Sequence, residues 1–384
     1  MTDLQLNDVR SVLGRSGAAL TPGAVAGALR GLGLLVSEST VRETVAALRR
    51  ESAGAGPLEP LLGLRGVTDV LVNGYQQVYV DRGGGLEQVE SPFTDEEDVR
   101  RLAVRLAAVV GRRLDEGNPF VDARLPDGTR VHAVLGALTD TGTCVSLRVP
   151  ARVTLTLADW VAGGTMHPRA ADLLAAVIDV RAAFLISGGT GSGKTTLLAT
   201  LLSRVPGDHR VVVVEDSREL APSHPHVVRL EARPPNAEGA GAVALSALVR
   251  QALRMRPDRL VVGEVRGAEL ADLLSALNTG HEGGCGTLHA NSAADVPARL
   301  EALAALGGLP RAALHAQAAA ALDLLVHIRR LRDGRRWVQE LHLLQWDESV
   351  ALCRPIPAWC FPPDGEPVPG PGAQRLAEVL RCPS

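Results

Sequence analysis

The chain reads as an α/β protein whose main body is a mostly parallel sheet flanked by helices, and three observations predict it. Short continuous apolar runs at residues 183–187, 211–214 and 260–262 alternate with helical patterns, as strands covered on both faces require. A glycine-rich turn, Gly188-Gly189-Thr190-Gly191-Ser192-Gly193, joins the first run to a helix-forming segment. Upstream, apolar and polar residues alternate instead, which marks a smaller α/β body with half-buried strands. The 384 residues accordingly divide into a short helical N-terminal segment 1–55, an α/β N-terminal domain 56–155, the main domain 156–345 and a Pro/Gly-rich C-terminal tail 346–384.

Each element follows from local signals. Thr40-Val41-Arg42-Glu43 has the capping-box form, with Val41, Val45 and Leu48 recurring at helical spacing. Residues 52–57, Ser52-Ala53-Gly54-Ala55-Gly56-Pro57, predict a linker. Val70 and Val72 lead to Asn73-Gly74, and Val78 and Val80 follow it, so two strands flank a turn. Thr94-Asp95-Glu96-Glu97 caps a helix whose buried stripe is Val99, Leu102, Leu106 and Val109. Asp127-Gly128 is a hairpin turn, followed by strands near 129–134 and 145–149. Residues 355–371, rich in Pro and Gly, predict an extended or mobile tail.

Composition excludes several classes. A formal net charge of -3 marks the whole chain neither as a nucleic-acid binder nor as a binder of acidic membranes. The five cysteines, Cys144, Cys285, Cys353, Cys360 and Cys382, are odd in number and form no C-x-x-C pair, which favours free thiols in a reducing cytosol. The N-terminus lacks a basic-then-apolar leader, and no uncharged apolar stretch approaches membrane-spanning length. A cytoplasmic location with at most peripheral membrane association is the expectation.

The chemistry centres on Lys194, the only lysine in the chain. It completes Gly188-Gly189-Thr190-Gly191-Ser192-Gly193-Lys194-Thr195-Thr196, which fits the G-x-x-x-x-G-K-[ST] phosphate-binding loop. The glycines let N–H groups turn inward as an anion nest at a helix N-terminus, and a compact ammonium follows the β- and γ-phosphates of ATP. Thr195 would place its hydroxyl on Mg2+. Downstream, Glu215-Asp216 and Glu264 each end a predicted strand, and carboxylates there converge on the phosphate crevice. One would hold Mg2+ through water while the other orients or deprotonates the attacking water. A third cluster runs from Asn278 to Asn291, and its His281, Cys285 and His289 are spaced at i, i+4 and i+8. That spacing suggests zinc, but Gly280, Gly283, Gly284 and Gly286 argue against one helix presenting all three. A mobile loop carrying neutral imidazoles near the γ-phosphate fits better.

From about Gly56 to about Glu340 the chain resembles the secretion ATPases of the type II/type IV superfamily, most closely the CpaF-like (TadA-type) ATPases of tight-adherence, Flp-type pilus systems. The resemblance rests on Pro119-Phe120-Val121-Asp122-Ala123-Arg124-Leu125-Pro126-Asp127-Gly128-Thr129-Arg130-Val131, the glycine loop and the acidic box at Glu215-Asp216. It continues through Arg233-Pro234-Pro235-Asn236, Leu253-Arg254-Met255-Arg256-Pro257-Asp258, Gly263-Glu264-Val265-Arg266-Gly267 and the histidine box. It implies a RecA-like P-loop ATPase domain in a homo-hexameric ring that works on inner-membrane platform proteins. It also implies that Arg124, Arg130 and Arg148 reach the nucleotide of a neighbouring subunit, where a guanidinium stabilises transition-state charge. Glu264 stands where many nucleotide hydrolases have aspartate, which leaves Glu215 as the water-orienting base.

Two other readings compete. A DNA-transfer ATPase would use the basic cluster Arg329, Arg330, Arg332, Arg335 and Arg336, but with aromatics at 3% base-stacking platforms are scarce and no nucleic acid is expected. A nucleotide-switched structural subunit that does not turn ATP over would have no need of two strand-end acids and a histidine box.

Overall fold

The computed structural model describes residues 8–9, 11–13, 21–34, 36–150, 154–233, 235, 240–331 and 333–381; Pro234, Asn236, Arg332 and Cys382 of the motifs above lie outside them. Two units result, Met1–Pro150 and Ala151–Ser384.

The first unit opens with helices that share a core of their own. α1 (Pro22–Gly31) is capped by Thr21, whose hydroxyl accepts the Ala24 N–H at 3.3 Å. α2 (Glu38–Ala53) begins a turn earlier than the Thr40 box implied, because Ser37 Oγ accepts the Thr40 N–H at 3.0 Å. Val25, Leu29, Val41, Val45 and Leu48 pack together. The expected linker is a packed connection: Arg105 donates to the Gly54 carbonyl at 2.8 Å, and a 3-10 turn, Gly56–Leu58, leads into α3 (Glu59–Leu62).

The sheet of this unit comprises β1 (Asp69–Asn73), β2 (Gln77–Asp81), β3 (Leu86–Val89), β4 (Phe120–Arg124), β5 (Arg130–Val134) and β6 (Cys144–Arg148), in the order β3-β2-β1-β6-β5-β4 and antiparallel throughout. The inward valines of β1 and β2, with Val131, Val145 and Leu147, pack on Val99, Leu102 and Leu106 of α4 (Glu96–Val109). At the β1–β2 turn Gly74 is obligatory: its φ is +66°, and a Cβ there would lie 1.9 Å from the Thr141 carbonyl oxygen.

The second unit runs, in chain order, through α5 (Leu157–Ala162), α6 (Pro168–Asp179), β7 (Phe184–Gly188), α7 (Lys194–Leu202), β8 (Val211–Glu215), β9 (Val227–Glu231), α8 (Leu245–Ala252), β10 (Arg259–Val265), α9 (Glu269–Leu277), β11 (Cys285–His289), α10 (Val296–Leu306), α11 (Arg311–Ala321), β12 (Leu324–Arg330), β13 (Arg336–Asp347), β14 (Leu352–Cys360), β15 (Val368–Pro369) and α12 (Ala373–Val379). Its sheet has the order β15-β14-β13-β12-β7-β11-β10-β8-β9, parallel from β12 to β9 and antiparallel from β12 to β15. Helices cover both faces, as the continuous apolar runs require. Phe184, Ile186, Val211 and Val213 meet α5, α6 and α7, whereas Leu185, Val212 and Val214 meet α8 to α11.

Of the extended or mobile tail expected over residues 355–371, the described residues show the extended form, packed in place and not mobile: β14 pairs with β13 from Leu352 to Cys360, and Phe361 and Leu376 are buried. The prolines that suggested a tail, Pro355 and Pro357, lie where β14 has no second neighbour, a position at which a sheet tolerates proline. The histidine box is likewise no mobile loop, because Cys285–His289 is β11, a central strand between β7 and β10.

Candidate active site

Since β7, β11, β10 and β8 are parallel neighbours, their C-terminal ends share one edge, and Gly188, His289, Glu264 and Glu215 all fall there. The glycine loop leaves β7 at this edge. A Cβ on Gly188 would meet the Ile328 carbonyl oxygen at 2.1 Å, while Gly191 and Gly193 adopt φ of +69° and +97°. Gly193 caps α7, whose first N–H groups have no acceptor in a preceding turn. Alternating handedness and a free helix start make an anion nest. Thr195 and Thr196 stand in the first turn, Thr190 is exposed at the loop crest, and the buried Ser192 hydroxyl donates to the Gly189 carbonyl at 2.9 Å.

Lys194 is 7% exposed, and its ammonium donates to the Gly188 and Gly189 carbonyls, each at 2.9 Å. Its third neighbour is His289 Nε2 at 3.3 Å, and since an ammonium only donates, that nitrogen accepts. Glu264 completes the group, with Oε1 3.9 Å from His289 Nε2 and Oε2 2.6 Å from an Arg266 guanidinium nitrogen. Burial lowers the lysine pKa against the opposing pull of Glu264. Burial and the nearby ammonium lower that of His289, which keeps the ring neutral.

Glu215 sits deeper than a catalytic base should. It is 4% exposed, and Oε1 accepts the N–H groups of Glu219 and Leu220 at 3.0 and 2.9 Å. Oε2 is buried and has no hydrogen-bond partner among the described residues, and burial raises the pKa despite the two N–H donors. The carboxylate that this turn delivers is Glu219, exposed and close enough to act on both Lys194 and Arg266. Sequence reading stopped at Glu215-Asp216 and missed it. The available signal was a third acid one helical turn after the strand end.

The edge does not collect every predicted residue. His281 precedes β11, whereas His289 ends it, and five residues of strand separate the two edges by about 13 Å. The His281 imidazole Nδ1 lies 3.2 Å from the Ala276 carbonyl oxygen, at the far edge from the loop. Cys285 is buried inside the strand with its thiol pushed up to about 12, and among the described residues no group of three or more His, Cys, Asp or Glu side chains could hold a metal ion. In the first unit, Arg124, Arg130 and Arg148 stand directly opposite one another on β4, β5 and β6 and form one row on the face away from α4. Arg148 is ion-paired with Asp69 at 3.1 Å.

A glycine loop, a buried lysine and a strand-end glutamate on one edge of a parallel sheet define a phosphate-binding-loop α/β protein. More narrowly, the chain belongs to the type II/IV secretion system protein family, whose model matches residues 51–341. A Mycobacterium tuberculosis protein named "Putative conjugal transfer protein" is 54% identical over 321 residues, 82% of this chain and 91% of its own. The type IV secretion system protein PtlH of Bordetella pertussis is 32% identical over 307 residues, 73% of this chain and 90% of its own. The fold matches that of the ATPase DotB of Legionella pneumophila with a TM-score of 0.52 at 21% identity, covering 77% of this chain and 81% of that one. Among the described residues no helix is long and apolar enough to cross a membrane.

Proposed function

We propose that the chain is a mechanochemical ATPase that hydrolyses ATP to ADP and phosphate in a homo-hexameric ring and so powers pilus assembly or protein secretion across the cell envelope. The observation that carries this reading is the convergence of Lys194, His289 and Glu264 on one sheet edge beside the glycine loop. In this reading the N–H groups of residues 188–196 bind the phosphates, and Lys194 leaves the loop carbonyls for the β- and γ-phosphates. Thr195 and Glu264 offer the oxygen donors that Mg2+ requires, and the ion when bound neutralises charge on the β- and γ-oxygens. Glu264 and Glu219 are the carboxylates placed to orient water, while Glu215 sets the Glu219 turn. Neutral His289 accepts from Lys194 and so registers where the ammonium points. Arg124, Arg130 and Arg148 would be lent to the site of an adjacent subunit.

The sequence resemblance favours a tight-adherence pilus motor that acts on inner-membrane platform proteins from the cytoplasmic face. A second reading, DNA transfer, is favoured by the name of the Mycobacterium tuberculosis relative. A multiple-turnover phosphate-release assay on assembled protein, with and without DNA, tests both. Turnover independent of DNA and abolished by Lys194→Ala supports the motor, DNA-dependent turnover supports transfer, and no turnover by assembled wild-type protein overturns both.

A further inference from the structure

The side chains of the basic hairpin between β12 and β13 do not behave alike. Arg335 is paired with Asp333 at 2.7 Å, and Arg329 donates to Gln339 at 3.2 Å. Arg336 opens β13 directly opposite Arg330, and like charges facing each other across an antiparallel pair repel. Arg330 turns toward the hairpin tip, with Nη2 4.0 Å from where a Gly334 Cβ would stand. Arg336 makes no ion pair among the described residues and goes the other way. Its Cδ lies 3.0 Å from the point a Cβ on Gly193 would occupy, and the Trp160 ring is 3.5 Å from the same point.

Gly193 is the cap of α7, the residue before Lys194. The stem of Arg336 therefore lies against Gly193, the residue next to the one whose ammonium the loop carbonyls hold. Only three further bonds of about 1.4 Å separate Cδ from the guanidinium nitrogens, which keeps the charge within about 4 Å of that stem and so beside the start of α7. The hairpin cannot drift from this place, since β12 is hydrogen-bonded along β7, the strand that feeds the loop. A planar fork suits phosphate oxygens, and its unmatched charge calls for an anion.

We infer that Arg336 is a nucleotide-binding residue of its own subunit, donating to the α/β-phosphate end of the nucleotide held by the glycine loop. The inference rests on the ATP reading above and adds to it a cation supplied within the chain. The test is the affinity of the assembled full-length protein for fluorescent ATP and ADP analogues, for wild type, Arg336→Gln, Arg336→Lys and Arg335→Gln. Arg336→Gln should weaken both nucleotides alike by about ten-fold, as loss of a charged hydrogen bond does. Arg336→Lys should fall between, Arg335→Gln should bind as wild type, and turnover at saturating ATP should change less than affinity. Because Arg336 is exposed, unfolding temperatures should agree across the set; Arg336→Lys, which keeps the stem, decides the matter if Arg336→Gln is unstable. Wild-type affinity in both Arg336 variants overturns the inference and leaves the ATP reading standing, whereas absence of binding by the wild type overturns the ATP reading and this inference with it. Weakened DNA binding with unchanged nucleotide affinity would give the arginine to the transfer reading instead.

Discussion

Gly263→Ala should unseat Glu215. A Cβ at position 263 would stand 2.5 Å from Glu215 Cγ and 2.9 Å from its Oε1, so one side must move. The backbone of Gly263 is held by Thr287, whose hydroxyl donates to the Gly263 carbonyl at 2.7 Å, so the glutamate gives way. The glutamate must break its bonds to the N–H groups of Glu219 and Leu220, at 3.0 and 2.9 Å. Overpacking costs about 1–3 kcal/mol and each of the two lost bonds about 1 kcal/mol, so a loss of roughly 3–5 kcal/mol is expected. Tryptophan fluorescence during urea unfolding is the assay, because Trp160, Trp337, Trp346 and Trp359 all lie in the second unit. The decisive comparison is a double-mutant cycle. Glu215→Ala removes the three atoms nearest the new methyl, so on that background Gly263→Ala should cost under about 0.5 kcal/mol, a coupling on the order of 3 kcal/mol. Additive losses would refute the contact, and with it the claim that Glu215 acts from behind the site.

Three further outcomes are expected. Glu215→Gln should gain stability relative to wild type as pH rises. The folded carboxyl has a raised pKa, so wild-type stability is fully present below the ordinary carboxylate range and is lost as pH climbs through the folded value. Urea midpoints that keep a constant gap from pH 5 to pH 8 would contradict this. Glu264→Gln should bind ATP within a few-fold of wild type yet hydrolyse it at least about a hundred-fold more slowly, whereas Lys194→Ala should lose binding itself; equilibrium binding beside phosphate release separates the two. Finally, mixing Arg148→Gln protein with Lys194→Ala protein should restore turnover that neither shows alone, since intact sites then form between subunits. Activity of Arg148→Gln alone equal to wild type would remove that arginine from the site.

Position along the chain was legible where one local signal sufficed. The apolar runs at 183–187 and 211–214 gave β7 and β8 because a strand buried on both faces needs nothing but apolar side chains. The glycine loop was legible for the same reason: left-handed backbone at Gly191 and Gly193 is written as glycine. What failed depended on neighbours. β11 carries two glycines' worth of loop signal around Gly284 and Gly286, yet those glycines admit close packing: a Cβ on Gly286 would lie 2.8 Å from the Val262 carbonyl oxygen of β10. The tail read as irregular because its prolines said nothing of the edge on which they would sit.

Depth was the quantity the sequence concealed, and it decides the division of labour among the acids. Glu215 and Glu264 look equivalent as strand-end carboxylates on neighbouring strands. The small residue between them in space, Gly263, lets the Glu215 side chain lie back against β10, where it meets backbone donors in place of solvent. Glu264, one residue further along β10, points instead at two cations and an imidazole. A buried carboxyl with a raised pKa and one unpartnered oxygen is poorly suited to exchanging protons with water at each turnover, but well suited to holding a turn rigid. The acid that the turn presents, Glu219, then carries its charge where Lys194 and Arg266 already concentrate positive potential. If so, Glu215→Gln should slow hydrolysis less than Glu219→Gln. The reverse order would return the base to Glu215.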